Sequence, residues 1–477
     1  MLSKIYIHIL LLSVVITTCG FCIHKQKFDI NYLIHERIDK HYNVGIAVAT
    51  IDLNRTQFYS AGTVSKNIHS KHITEKTIFP IASVTKVFTT LLLADYVVSG
   101  QVKLSDPAQK YLPNVKMPQY HHMSITLQNL ATHTSGLVEI GNSAPQSFYQ
   151  GYTLNRFYKK LSQIKLTHKP GIEYQYSNII GLLGDIIANI SGLTYKQVLQ
   201  EKILNPLDMK NTKLVPYPNE NNTQVIGYNA VDLPGLPWTF PILESAGAMQ
   251  SNAEDLAKFV MANMGIKKTL LYPAMQLSHQ PVLSEGKPLV DFDFPGVEQL
   301  EIALGWNVDK MHHLIWKNGN FPNYSSFIGF NYKTKKGVVI LTNSGNVAYT
   351  DNLALHILDH KIKLLPLYSE VKINNNKINV YAGKYSMNDN TQYVFIGEDN
   401  HLKTQHITHG HASEYFNLYP MNNHQFFGRI ANAIFSFVLD NKGVIQLIVK
   451  EDHQIKYGKK HIVDIHKLTP EKVPQAM

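Results

Sequence analysis

Apolar and polar positions alternate with different periods along the chain, and the periods predict its elements. Phe28 to Lys40 carries apolar residues at helical spacing and predicts an amphipathic helix. Val44 to Asp52 and Thr56 to Ala61 read as two strands joined by a hairpin turn at Leu53-Asn54-Arg55. Ser83 to Val98 predicts a helix closed by Ser99-Gly100, and Leu127 to Ala131 opens a short one before His133-Thr134-Ser135-Gly136. Asn178 to Ile190 predicts a helix ending at Ser191-Gly192, and Ala253 to Met264 another, with Ser251 or Asn252 as its cap. Tyr324 to Tyr332 and Gly337 to Asn343 read as paired strands around the turn Lys333-Thr334-Lys335-Lys336, and Leu353 to Ile362 as a last helix. Strands first and last with helices between them predict an α+β class, an α/β sandwich: an antiparallel sheet flanked by helices, with a helical subdomain.

After about residue 365 the texture changes. Leu365-Pro366-Leu367 and Asn374-Asn375-Asn376 read as a linker. Short alternating runs follow at Asn379 to Tyr385, Tyr393 to Ile396, Glu414 to Tyr419, Gln425 to Gly428, Ile434 to Leu439 and Val444 to Lys450, separated by turns such as Asp440-Asn441-Lys442-Gly443. This spacing predicts a small all-β barrel or sandwich. The expected division is therefore 1–22 as an N-terminal segment, 28–364 as the main domain and 371–466 as a C-terminal barrel.

The N-terminal segment begins with one positive charge, Lys4, and is apolar from Ile5 to Cys22 apart from His8, Ser13 and two threonines. It reads as a secretory signal peptide cut after Gly20, with an uncleaved membrane anchor as the rival reading. The only two cysteines, Cys19 and Cys22, lie in or beside it, so the body has no disulfide framework. A hydrophobic fraction of 44% and a charged fraction of 17% suit a chain with a sizeable core. The net charge is +10, but lysines are scattered and no basic stripe is interleaved with aromatics, which argues against nucleic acid as a partner.

Ser83-Val84-Thr85-Lys86 carries the first candidate chemistry. Residues i and i+3 on a helix are neighbours roughly 5–6 Å apart at Cβ. A lysine there can take a serine proton if it is itself neutral. Its ordinary value near ~10.4 must then fall by about 3 units, which requires burial or a nearby cation. The chain has four S-x-x-K matches, Ser83/Lys86, Ser162/Lys165, Ser284/Lys287 and Ser369/Lys372, and only the first opens a long apolar run. That places Ser83 at a buried helix start, whose unpaired N–H groups favour a developing oxyanion. Tyr176-x-Asn178 follows the turn Pro170-Gly171 and can present a phenol and an amide from a loop. Lys317-Asn318-Gly319 precedes the strand pair: a lysine on an edge strand can bind an anionic group, and Gly319 would let a substrate backbone pair closely with the strand.

These three motifs in order resemble the class C β-lactamases and the related serine D-Ala-D-Ala carboxypeptidases and esterases. Flanking stretches agree: Leu130 to Leu137, Pro206 to Thr212 and Ala246 to Ser251. Tyr381-Ala382-Gly383-Lys384-Tyr385 resembles the lipocalin-like barrels appended to such enzymes. The resemblance implies that Ser83 forms an acyl-enzyme while Lys86 and Tyr176 relay its proton. It implies that Asn178, Lys317, Asn318 and Gly319 bind substrate, and that the N–H groups of Ser83 and Asn320 form the oxyanion hole. No metal or organic cofactor is implied. Asn318 departs from the threonine usual at that position.

The expected function is a serine acyl-hydrolase acting on D-amino-acyl peptides or related amides. A carboxylesterase of the same fold and a non-catalytic protein binding wall fragments are the alternatives. The expected partners are a peptide, lactam or ester substrate and peptidoglycan, and the expected location is exported, either periplasmic or secreted, with membrane attachment through the N-terminal segment as a variant.

Overall fold

Strands that are apolar at nearly every position must be buried on both faces, and the central sheet meets that demand. In the computed structural model the described residues are 29–139, 152–216, 225–235, 239–284, 287–288, 290–291, 297, 300–373, 378–398, 401–408, 411–439, 445–451 and 454–460. The expected export segment, 1–22, lies outside them, as do Asn374 to Asn376 and the turn Asp440 to Gly443.

The sheet has eight strands: β1 (Gly45–Ile51), β2 (Thr56–Gly62), β3 (Val290–Asp291), β4 (Leu300–Ile302), β5 (Asn307–Asp309), β6 (Leu314–Phe321), β7 (Tyr324–Asn331) and β8 (Lys336–Thr342). Their order is β3-β4-β5-β6-β7-β8-β1-β2, and every pairing is antiparallel. The β1–β2 hairpin is set by Asp52, whose carboxylate accepts from the backbone N–H groups of Asn54 and Arg55.

Side-chain alternation sorts the two faces. Ile46, Val48, Leu314, Trp316, Phe327, Val338 and Ile340 face one layer, built by α1 (Ile30–Asp39) and the last helix of this body, Val347–Leu358. Ala47, Ala49, Ile51, Ile315, Ile328, Val339 and Leu341 face the larger helical layer. At its centre runs α2 (Thr85–Val98), in which Val87, Phe88, Leu91, Leu92 and Leu93 are all buried. Each such side chain contributes about 1.5–3 kcal/mol on leaving water. Also in this layer are α3 (Leu127–Ala131), α4 (Leu182–Ser191, closed by Gly192 at φ 72) and α5 (Ala253–Asn263, capped by Asn252).

Three helix starts differ from the sequence expectation, one of them at Asn178, where a 3₁₀ turn, Asn178–Gly181, precedes α4 at Leu182. Ser83 lies in a 3₁₀ turn, Ala82–Val84, and the α-helix proper begins at Thr85. The turn is held by Ile81 N–H to Met249 O and by Ala82 at φ 44, a left-handed conformation costly for alanine. The helix expected at Leu353, here α6, begins at Val347 instead. Its first turns hold Tyr349, Thr350, Asp351 and Asn352, all buried and partly polar, so no apolar period marks them.

The C-terminal part closes into a barrel of eight strands: β9 (Gly383–Met387), β10 (Gln392–Glu398), β11 (His401–Thr408), β12 (Phe416–Pro420), β13 (Gln425–Gly428), β14 (Ala433–Leu439), β15 (Ile445–Glu451) and β16 (Gln454–Lys460). Pairing of β9 with β16 completes the ring. Its core holds Tyr385, Phe395, Leu402, Phe426, Phe435, Phe437, Leu447 and Val449. The barrel seats on the body through Asn417 N–H to Ala230 O at 3.1 Å and the Tyr419 hydroxyl to Asp232 at 2.9 Å. Arg429 stacks 3.5 Å over the Tyr419 ring and pairs with Glu370 at 3.1 Å.

Candidate active site

Three segments far apart in sequence meet at the N-terminal end of α2, the first contributing two residues. The 3₁₀ turn presents Ser83, the first turn of α2 presents Lys86, the loop before α4 presents Tyr176, and β6 presents Lys317. Lys86 Nζ lies 3.1 Å from Ser83 Oγ, and the Tyr176 hydroxyl lies 2.7 Å from the same oxygen. Lys86 is wholly buried, whereas Tyr176 is 44% exposed, so the cluster has a closed floor and an open side.

Lys86 Nζ also donates to Asn178 Oδ1 and to Ala246 O, each at 2.9 Å. Burial pushes its pKa down to about 7, against the field of Glu139, which raises it. The neutral amine has two N–H bonds and one lone pair. With both hydrogens held by Asn178 and Ala246, the lone pair faces Ser83. The second lysine of the site, Lys317, sits 4.9 Å over the Tyr176 ring, and Lys86 lies 5.1 Å over the same ring.

His133 packs beneath Tyr176, with ring centres 4.5 Å apart. Its Nδ1 accepts from Ser177 N–H at 3.3 Å, and its backbone carbonyl accepts from Gln175 N–H at 2.8 Å, so this residue positions the tyrosine loop from two sides. Burial, with Lys317 and Lys86 nearby, holds its pKa well below the ordinary histidine value, so it is a neutral support. Glu139 accepts from Asn178 N–H at 2.6 Å.

The motif on β6 differs from its expected use at Asn318 and gains a use at Gly319. β6 is interior to the sheet only as far as Trp316, since β5 pairs with Leu314 to Trp316. From Lys317 to Phe321 it runs beyond β5, and among the described residues no strand pairs with it on that side. Gly319 does more than leave an edge to which a substrate backbone could pair. A Cβ there would meet Ile81 O at 2.3 Å, Ser326 Oγ at 2.5 Å and Ser83 N at 3.0 Å, so its missing side chain admits the Ser83 turn itself. Asn318 alternates to the opposite face from Lys317. Its amide donates to the buried carboxyl of Asp351 at 2.6 Å, away from the nucleophile. The structure thus brings together Ser83, Lys86, Tyr176, Asn178, Lys317 and Gly319, places Asn320 beside them on the exposed end of β6, and turns the Asn318 side chain away.

Sequence reasoning assigned no role to His133, Glu139, the Ala246 carbonyl or Asp351. His133 and Ala246 do lie within the flanking stretches that carried the resemblance. Among the described residues no group of three His, Cys, Asp or Glu side chains could hold a metal ion, and no helix is long and apolar enough to cross a membrane.

Comparison with known proteins adds the following. The family profile described as Beta-lactamase matches residues 30–360. The chain is 32% identical over 284 residues to the D-alanyl-D-alanine-carboxypeptidase/endopeptidase AmpH of Escherichia coli strain K12, covering 55% of this chain and 68% of that protein. It is 29% identical over 354 residues to the protein flp of Staphylococcus aureus strain MW2, covering 71% and 68% respectively. Among solved structures, the octameric penicillin-binding protein homologue from Pyrococcus abyssi superposes with a TM-score of 0.59 at 19% identity, over 90% of this chain and 98% of that one. A β-lactamase/D-alanine carboxypeptidase from Yersinia pestis complexed with citrate gives 0.59 at 23% identity, over 70% and 98%.

Proposed function

Because the chain belongs to the β-lactamase family and is a serine hydrolase of that family, we propose that it cleaves D-amino-acyl peptides or related amides through an acyl-enzyme on Ser83. The observation that carries this reading is the convergence of Lys86 Nζ and the Tyr176 hydroxyl on one oxygen, Ser83 Oγ, with burial lowering the amine's pKa to about 7 so that a large fraction is neutral there. In this scheme Ser83 Oγ attacks the carbonyl carbon and its proton passes to Lys86, directly or through Tyr176. The N–H groups of Ser83 and Asn320 hold the oxyanion, each such donor contributing about 2.7–4 kcal/mol in other enzymes. The C–N bond breaks, the leaving amine takes the proton back through the same pair, and water then hydrolyses the Ser83 ester.

Lys317 is the reason for favouring a carboxylate-bearing substrate, since its buried side chain sets an amine 4.9 Å over the Tyr176 ring, beside the nucleophile. Asn178 is fixed by Lys86 and Glu139 and orients the substrate amide through the rest of its carboxamide. The apolar residues 5–22 support an exported enzyme, and so a wall-peptide substrate. The separate apolar cores support a division into residues 28–364 and 371–466.

Intact-mass measurement after exposure to a penicillin, a D-Ala-D-Ala peptide and a p-nitrophenyl ester tests the scheme. An adduct from the first two on the wild type, absent in Ser83→Ala, is the expected result. Turnover of the ester alone, with no adduct from penicillin or peptide, would replace this reading with the carboxylesterase one.

A further inference from the structure

We propose that the cavity between the barrel mouth and the β6–β7 hairpin is a second part of the substrate site, taking the amine-bearing far end of a peptide held at Ser83; this rests on the peptidase reading above. The cavity has a volume of about 440 Å³ and is lined from the body by Asn320 and from the barrel by Tyr393, Tyr415, Phe435, Glu414 and Glu451, among others.

Position is the first argument. Asn320 follows Gly319, whose Cβ position is 3.0 Å from Ser83 N. One strand residue advances about 3.3 Å. A ligand extended along the open side of Lys317 to Phe321 therefore leaves Ser83 and reaches the cavity wall within one or two residues. The strand that holds the nucleophile turn thus also points the substrate at the barrel.

Chemistry is the second. The described lining residues include two carboxylates and neither lysine nor arginine, on a chain whose net charge is +10. Glu451 has Lys456 at 3.8 Å, but that ammonium is shared with Asp389 at 3.2 Å. Glu414 stands exposed at the rim. The same lining holds aromatic residues, with the Tyr393 and Phe435 rings 5.6 Å apart. Methylenes of a lysine-like or N-terminal residue suit the rings, and its ammonium suits the carboxylates. A barrel placed only as a cap has no need of this combination.

The test uses full-length Ser83→Ala protein, so that binding is read without turnover. L-Lys-D-Ala-D-Ala and its diacetylated twin are compared by calorimetry. The free-amine peptide is expected to bind about fivefold more tightly, a ratio suited to partly exposed ion pairs. That ratio should collapse to one in a protein also carrying Glu414→Gln and Glu451→Gln, whose unchanged melting temperature reports intact folding. Equal binding of the twins, a ratio that survives both substitutions, or no binding of either peptide overturns the proposal. Adduct formation by the wild type is scored separately. A peptide that acylates Ser83 without amine preference removes this subsite and leaves the peptidase reading standing. An amine preference without any peptide adduct does the reverse.

Discussion

Lys86 is an amine placed where an ammonium is costly, and this fixes the direction of its pH dependence. Its folded-state pKa is depressed to about 7, so it is charged below that pH and neutral above it. Acylation of Ser83 should therefore rise through about pH 7 and fall about tenfold per pH unit well below it. Stopped-flow acylation by a chromogenic substrate between pH 5 and 9 measures this, and a flat profile would remove Lys86 as the base. Lys86→Arg, which keeps a cation that cannot be discharged, should lose acylation at every pH. The pair itself was legible in the sequence because three-residue spacing at the start of a long apolar run brings two side chains together, in a 3₁₀ turn as in an α-helix. Tyr176 and Lys317 were legible only through the order of the motifs. His133 and Glu139 were not, because one supports Tyr176 through ring packing and backbone bonds and the other holds a backbone N–H. Asp351 was hidden too, since it reaches the site only through the reverse face of β6.

At the level of elements, the geometry depends on how closely the Ser83 turn can approach β6. Gly319→Ala should cost about 1–3 kcal/mol, since the new methyl meets two backbone atoms and the Ser326 hydroxyl oxygen. It should also displace Ser83, so acylation falls further than the melting temperature alone accounts for. Thermal unfolding and adduct formation measured on one preparation check both. Most elements of the body were readable because their apolar residues repeat with a clear period. Several were not, among them the short strands β3, β4 and β5 of the body, the start of α6, and β11 and β16 of the barrel. α6 starts among buried polar residues that bond to one another and to nearby chain, as Thr350 does to Asn346 and Asn352 to the Lys363 carbonyl. β11 (HLKTQHIT) and β16 (QIKYGKK) carry polar residues on most positions, because a barrel wall needs only every second side chain inside.

Across the whole molecule, body and barrel are joined by a charged seam as well as an apolar one. Arg429, itself nearly buried, meets Glu370 at 3.1 Å and Asp232 at 3.9 Å across that seam. Arg429→Ala should destabilise the chain by about 1–2 kcal/mol, a figure kept low because both partners are more than a third exposed. The clearer readout is limited proteolysis: cleavage between about 365 and 377 should accelerate, and an unchanged rate would show that the seam does not depend on this arginine. Ala230, which the body contributes, packs against the core of the barrel, and Tyr42 of the body stacks with Phe427 of the barrel at 6.2 Å. Neither half is therefore a self-contained cassette. Transplanting the hydrolase portion without its C-terminal companion would leave greasy side chains facing water, and a stickier, shorter-lived enzyme is the result to plan for when such chimeras are made.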